Sequence, residues 1–167
     1  MKPNSLIRNR HFWAAIALLL VAVAIIIITY IRVYSPEIMV GPLQLYHWAS
    51  VIGAGIVVVF IPLYAYVKRK YPKTRRFLFN AHMYVNLFAF LFISMHFGVI
   101  GQIKPGVDTG TGFMQFVVVV LLIFTGIIRR FQLWPGQSNI WKFLHVSLMV
   151  TFYIMLLNHI IGAVGLL

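Results

Sequence analysis

The sequence predicts an all-α integral membrane protein, a bundle of five transmembrane helices. Two observations carry that reading. The 167-residue chain is 62% hydrophobic and only 10% charged, where a soluble domain has roughly a quarter of its residues charged. Its apolar residues are also gathered into five runs, at about 12–33, 43–67, 77–101, 112–129 and 140–166, each near or above the ~20 residues a helix needs to cross a bilayer. None of the runs shows the alternation of barrel strands, so helices are the only spanning structure available.

Taken in order, the first run follows Lys2, Arg8 and Arg10 and could pass for a secretory leader. Its apolar stretch is too long for one, and no small-residue cleavage site follows Tyr30. It is read as a retained helix. SPE, KPGVDTG and WPGQSN break the later runs. KPGVDTG lacks the G-K-[ST] ending of a P-loop. With no internal repeat, low-complexity tract or linker, residues 1–167 are expected to form a single membrane domain.

The basic residues orient it. Twelve of the 14 Lys and Arg fall on one side of the predicted membrane. They are Lys2, Arg8 and Arg10, then Lys68, Arg69, Lys70, Lys73, Arg75 and Arg76, then Arg129, Arg130 and Lys142. Arg32, Lys104 and both acids, Glu37 and Asp108, fall on the other side. The positive-inside rule then makes the N-terminus cytoplasmic and the C-terminus external. A net charge of +12 therefore reads as membrane topology, with no nucleic-acid partner expected. A multi-pass position in a prokaryotic plasma membrane fits this pattern, with lipid as the solvent.

The absence of cysteine excludes disulfides, thiolate metal sites, cysteine-bound iron–sulfur clusters and the C-x-x-C-H attachment of c-type haem. Histidine remains the strong metal ligand. His82 and His96 lie on the third predicted helix and His145 and His159 on the fifth, both pairs 14 residues apart. Fourteen residues make close to four helical turns, so each pair shares a face to within about 40° and is separated by roughly 21 Å. One metal ion cannot bridge that gap, but two cofactors at two depths can. The third and fifth helices are separated by one return crossing and run parallel. His82 with His145, and His96 with His159, are then expected as two trans pairs.

Imidazoles on opposite sides of a macrocycle are what a six-coordinate haem requires. The expected cofactors are two non-covalent haems b, stacked across the membrane as an electron path. A zinc site fits less well, because two ligands would meet at each depth where zinc wants three or four. A purely structural reading, in which the histidines hydrogen-bond between helices, must explain four ionisable groups with matched spacing inside a bilayer.

The spacing, together with RRFQLWPGQSNIWKFLHVSLMVTFYIMLLNH and its W-x-x-L-H from Trp141 to His145, resembles the transmembrane domain of the ferric reductase/NADPH oxidase family. The likeness covers about residues 43–165. It implies an inner haem b on His82 and His145 and an outer one on His96 and His159. Complete reductases continue through a sixth helix to a cytoplasmic flavin and nicotinamide domain. Here eight residues follow His159 and no G-x-G-x-x-G occurs, so electrons are expected from a redox partner protein or from quinol. The oxidases place a further histidine one turn beyond the outer ligand, where this chain has Ile100. Superoxide production is not expected.

The quinol-oxidising cytochrome b of respiratory complexes ranks second. It too has histidines 14 apart on parallel helices, but with a much longer insertion than the 49-residue step from His96 to His145. A cofactor-free transporter or assembly factor, with the histidines relaying protons, is the alternative of another class.

Supporting residues follow from these positions. Haem propionates want basic partners at the membrane edge, which nominates Arg76 and Arg130, with Arg75, Arg129 and Lys142 at the same level and Arg32 and Lys104 at the outer one. Phe152 lies seven residues from each histidine of the fifth helix, with Ala89 in the matching place on the third. Phe152 is therefore expected between the cofactors. His47, with Tyr46 and Trp48, is either an interfacial anchor or part of an outer pocket; His11 has the same standing inside. Gly53 and Gly55 are expected to permit close helix contact.

Overall fold

The computed structural model describes residues 9–31, 38–100 and 110–163, apart from the side chains of Arg76, Ile100 and Ala163. Five helices account for nearly all of it: α1 Arg10–Tyr30, α2 Leu45–Lys70, α3 Arg75–Ile100, α4 Gly110–Phe131 and α5 Ser138–Ala163. All five are long and apolar enough to cross a membrane. Their surfaces match that setting. Among the described residues, large apolar side chains such as Phe77 (73% exposed) and Phe143 (70%) point outward, an arrangement that water would not tolerate over so many positions.

Among the described residues, the one departure from an all-α fold is a two-stranded ribbon, β1 Met39–Val40 against β2 Leu43–Gln44. Gly41 at φ 64°, followed by Pro42, makes the two-residue reversal. The ribbon is tied to the start of α2 by the Trp48 indole, which donates to the Val40 carbonyl at 2.8 Å, and by the Leu45 amide, which donates to Ile38 at 2.9 Å. Residues 43–44, expected at the head of the second span, belong to this strand instead.

Contacts divide the chain into two compact units. Ala14–Lys104 holds most of α1 with the ribbon, α2 and α3. Met1–Trp13 together with Pro105–Leu167 holds the first turn of α1 with α4 and α5.

In the first unit α2 and α3 are antiparallel neighbours. They approach most closely at Gly53, where an added Cβ would lie 2.8 Å from the Ala89 carbonyl oxygen and 3.0 Å from Ile93 Cγ1. A Cβ at Gly55 would meet nothing within 4 Å, so that glycine takes no part in the contact, contrary to expectation. Helix α1 buries Ala15, Ala22 and Thr29, a seven-residue stripe down one face. Thr29 fills the space left by Gly98 of α3. The last turn of α2 carries Lys68, Arg69 and Lys70, which suit the negative end of its dipole.

In the second unit α4 buries Val119, Thr125, Ile127, Ile128 and Phe131. Its C-terminus closes with the Leu133 amide donating to the Ile128 carbonyl at 3.1 Å, with Gln132 at φ 52°. That is the six-to-one bond of a Schellman ending, with glutamine where glycine is usual. Phe12 packs edge-on to Phe131 at 5.1 Å. Phe152 of α5 is 1% exposed and takes its place in the core.

Candidate functional site

The four histidines stand on two helices, one in each unit. His82 and His96 are half-buried on α3, and His145 and His159 half-buried on α5. Each expected pair therefore draws one imidazole from each unit. Among the described residues no three histidine or acidic side chains gather as a metal cluster.

In the first unit, α2 lines both α3 histidines with aromatic rings. Tyr64 stacks on His82 at 4.3 Å and 22°, with Phe60 at 6.4 Å and 19°. Asn86, one turn further along α3, donates from Nδ2 to the His82 carbonyl at 2.6 Å and stands 3.1 Å from His82 Nδ1. Because the same amide nitrogen serves both, Nδ1 is the acceptor and the proton rests on Nε2. At the other end, His96 meets His47 at 5.4 Å and Tyr46 at 5.8 Å between ring centroids. The structure thus brings His47 to one of the predicted ligands. His47 Nδ1 is buried, with no hydrogen-bond partner among the described residues.

In the second unit, α4 supplies residues that the sequence reading did not single out. Thr125 Oγ1 lies 3.1 Å from His145 Nδ1 and Thr111 Oγ1 lies 3.4 Å from His159 Nδ1. The Thr125 hydroxyl also donates to the carbonyls of Leu121 and Leu122, at 2.8 and 3.1 Å. Glycine follows threonine each time. A Cβ on Gly126 would approach His145 Cε1 to 3.3 Å, and one on Gly112 would approach His159 Cε1 to 3.4 Å. The signal in the sequence was the dipeptide Thr-Gly at 111 and 125, repeating at the interval of the α5 histidines.

The remaining candidates fall as follows. Arg130 is half-buried with its guanidinium 5.5 Å from the Phe131 ring. The Arg76 side chain lies outside the described residues, as do Arg32 and Lys104. Arg75 and Lys142 are exposed. Phe152 is buried beside Tyr153, ring to ring at 5.8 Å. Ala89 is fully buried with its carbonyl against Gly53, so its small size serves the α2–α3 contact. His11 sits in the first turn of α1, where its backbone amide donates to the Asn9 side chain at 3.1 Å.

No family model, curated protein or solved structure matches the chain.

The surroundings of His145 suit an imidazole that ligates through Nε2. With its Nδ1 proton given to Thr125, the Nε2 nitrogen carries the lone pair. His82 fits only after a change: ligation through Nε2 requires the Asn86 amide to turn away from Nδ1, so that this nitrogen can take the proton.

Proposed function

We propose that this protein is a di-haem b membrane cytochrome that passes electrons between a cytoplasmic-side donor and an extracytoplasmic acceptor. Bound haem would supply a one-electron redox centre at each of two depths. The chain's own residues would hold and insulate those centres, His82 and His145 on the cytoplasmic side and His96 and His159 on the external side. The observation that carries the reading is the repeat of one imidazole spacing on two spanning helices, supported by the Thr125 hydroxyl at His145 Nδ1.

The apolar rings around the histidines, Tyr64 and Phe60 at one end and Tyr46 at the other, suit the edge of a macrocycle and exclude water. Arg130 and Arg76 are assigned to propionates, and Phe152 to the gap between the two centres. In this reading the chain is an electron-transfer subunit that draws on a partner protein or a quinone. The basic loops put the N-terminus in the cytoplasm and the C-terminus outside.

The test is a reduced-minus-oxidised absorbance spectrum with a pyridine haemochrome count on detergent-purified protein. Sharp b-type bands with about two haems per chain are expected, one of them lost in His96→Ala. One observation favours a second reading. Asn86 already satisfies His82 through a local hydrogen bond, as a cofactor-free transporter or assembly factor would require. A colourless protein from haem-replete cells would put that class first.

A further inference from the structure

Helices α4 and α5 carry a repeated contact. At each end of their antiparallel pairing an imidazole meets a threonine hydroxyl at Nδ1 and a bare glycine beside Cε1. Thr125 and Gly126 serve His145, and Thr111 and Gly112 serve His159. The interval is 14 residues on both helices, so the two contacts are one step repeated in register.

We propose that each Thr-Gly step is a seat that fixes the tautomer and position of its imidazole for iron ligation. Thr125 makes the closer of the two contacts. Its hydroxyl has one proton, and the carbonyls of Leu121 and Leu122 on its own helix stand at 2.8 and 3.1 Å to accept it. With that proton kept on its own helix, the oxygen faces His145 as an acceptor, the Leu122 carbonyl is a second backbone acceptor for the ring, and Nδ1 carries the hydrogen. The neutral ring then has its lone pair on Nε2, the nitrogen that binds iron when Nδ1 is held from behind. The glycine acts through space: at Gly126 the missing side chain lets the ring lie against α4, where a methyl would press His145 Cε1 at 3.3 Å, while at Gly112 a methyl would make ordinary contact at 3.4 Å.

The two seats are unequal. Thr125 is 4% exposed and its contact is 3.1 Å, whereas Thr111 is exposed and its contact is 3.4 Å. The His145 seat is the firmer one. Thr125 and Gly126 are positioning residues, and none of this requires them to touch the cofactor.

The inference rests on the haem reading, and the test separates the two. Thr125→Val keeps the shape and removes the hydroxyl, leaving the Leu122 carbonyl as the backbone acceptor; Thr125→Ser keeps the hydroxyl. In full-length haem-loaded protein, transfer of haem to a soluble scavenger should run about 10- to 100-fold faster for one of the two haems in Thr125→Val. Thr125→Ser should stay near wild type, and the midpoint potential of the affected haem should rise in Thr125→Val, because the ligand becomes a weaker donor. In full-length protein from haem-depleted cells, nitrogen-15 histidine spectra should show the Nδ1–H form of His145 in wild type and its depletion in Thr125→Val.

A Thr125→Val protein with wild-type release, potential and tautomer overturns the seat while leaving the haem reading intact. If His145→Ala also retains both haems, the haem reading itself fails. Should Thr125→Val not accumulate, a Thr125→Ser protein whose haem release matches that of Thr125→Ala would overturn the seat.

Discussion

Gly53 and Gly55 stand two residues apart on α2, and Gly→Ala should act on them with opposite signs. Alanine is favoured over glycine in a helix interior by about 0.8–1 kcal/mol, and both sites gain that amount. At Gly55 nothing else changes, since an added methyl meets nothing within 4 Å. At Gly53 the methyl would lie 2.8 Å from the Ala89 carbonyl, 3.0 Å from Ile93 Cγ1 and 3.1 Å from Phe92 Cβ. Two of these are a carbonyl and a Cβ, which cannot swing aside, so α2 and α3 must part by several tenths of an ångström.

Overpacking of this kind costs about 1–3 kcal/mol. The propensity gain cancels between the variants, so Gly53→Ala should be less stable than Gly55→Ala by that same amount, about 1–3 kcal/mol. Reversible unfolding of the detergent-solubilised protein with increasing SDS fraction, followed by circular dichroism, reads the difference directly. Equal midpoints for the two variants would refute the α2–α3 geometry.

Phe152→Ala should destabilise by on the order of 2 kcal/mol in the same assay. The estimate takes about 24 cal/mol per Å³ over a cavity of ~100 Å³, because an apolar solvent leaves little transfer term. Wild-type stability would mean that Phe152 is not in the core. Gln132→Gly should stabilise by about 1 kcal/mol, since it relieves a side chain held at φ 52°, and a loss of stability would count against the Schellman ending of α4. Reporter fusions should locate the N-terminus in the cytoplasm and the C-terminus outside; the reverse would undo the inner and outer assignment of the histidines.

The spans were legible because apolar runs and basic loops are large signals. Their edges were less so: α1 begins at Arg10 and α2 at Leu45, where hydropathy alone placed 12 and 43. The ribbon at Met39–Gln44 escaped notice because two-residue strands have no periodicity to read, and only Gly41-Pro42 marks it. Gly55 was misread for want of a helical phase. Residues two apart lie about 200° around the axis, so one glycine facing α3 turns the other away.

The histidines showed in the sequence through their spacing. Their immediate surroundings did not, because Tyr64, Asn86 and the threonines of α4 are ordinary residues in a membrane helix until a neighbour is known. The Thr-Gly repeat was visible, but threonine and glycine in a span read first as packing residues.

The central claim is that electrons cross the membrane through this chain. Purified haem-loaded protein would be reconstituted into sealed liposomes with ferricyanide trapped inside and dithionite, which does not permeate, added outside. The account predicts reduction of the trapped ferricyanide far faster than in protein-free vesicles, and a return to the protein-free rate in His96→Ala. Wild-type vesicles that reduce it no faster than empty ones, with haem present, would contradict the account.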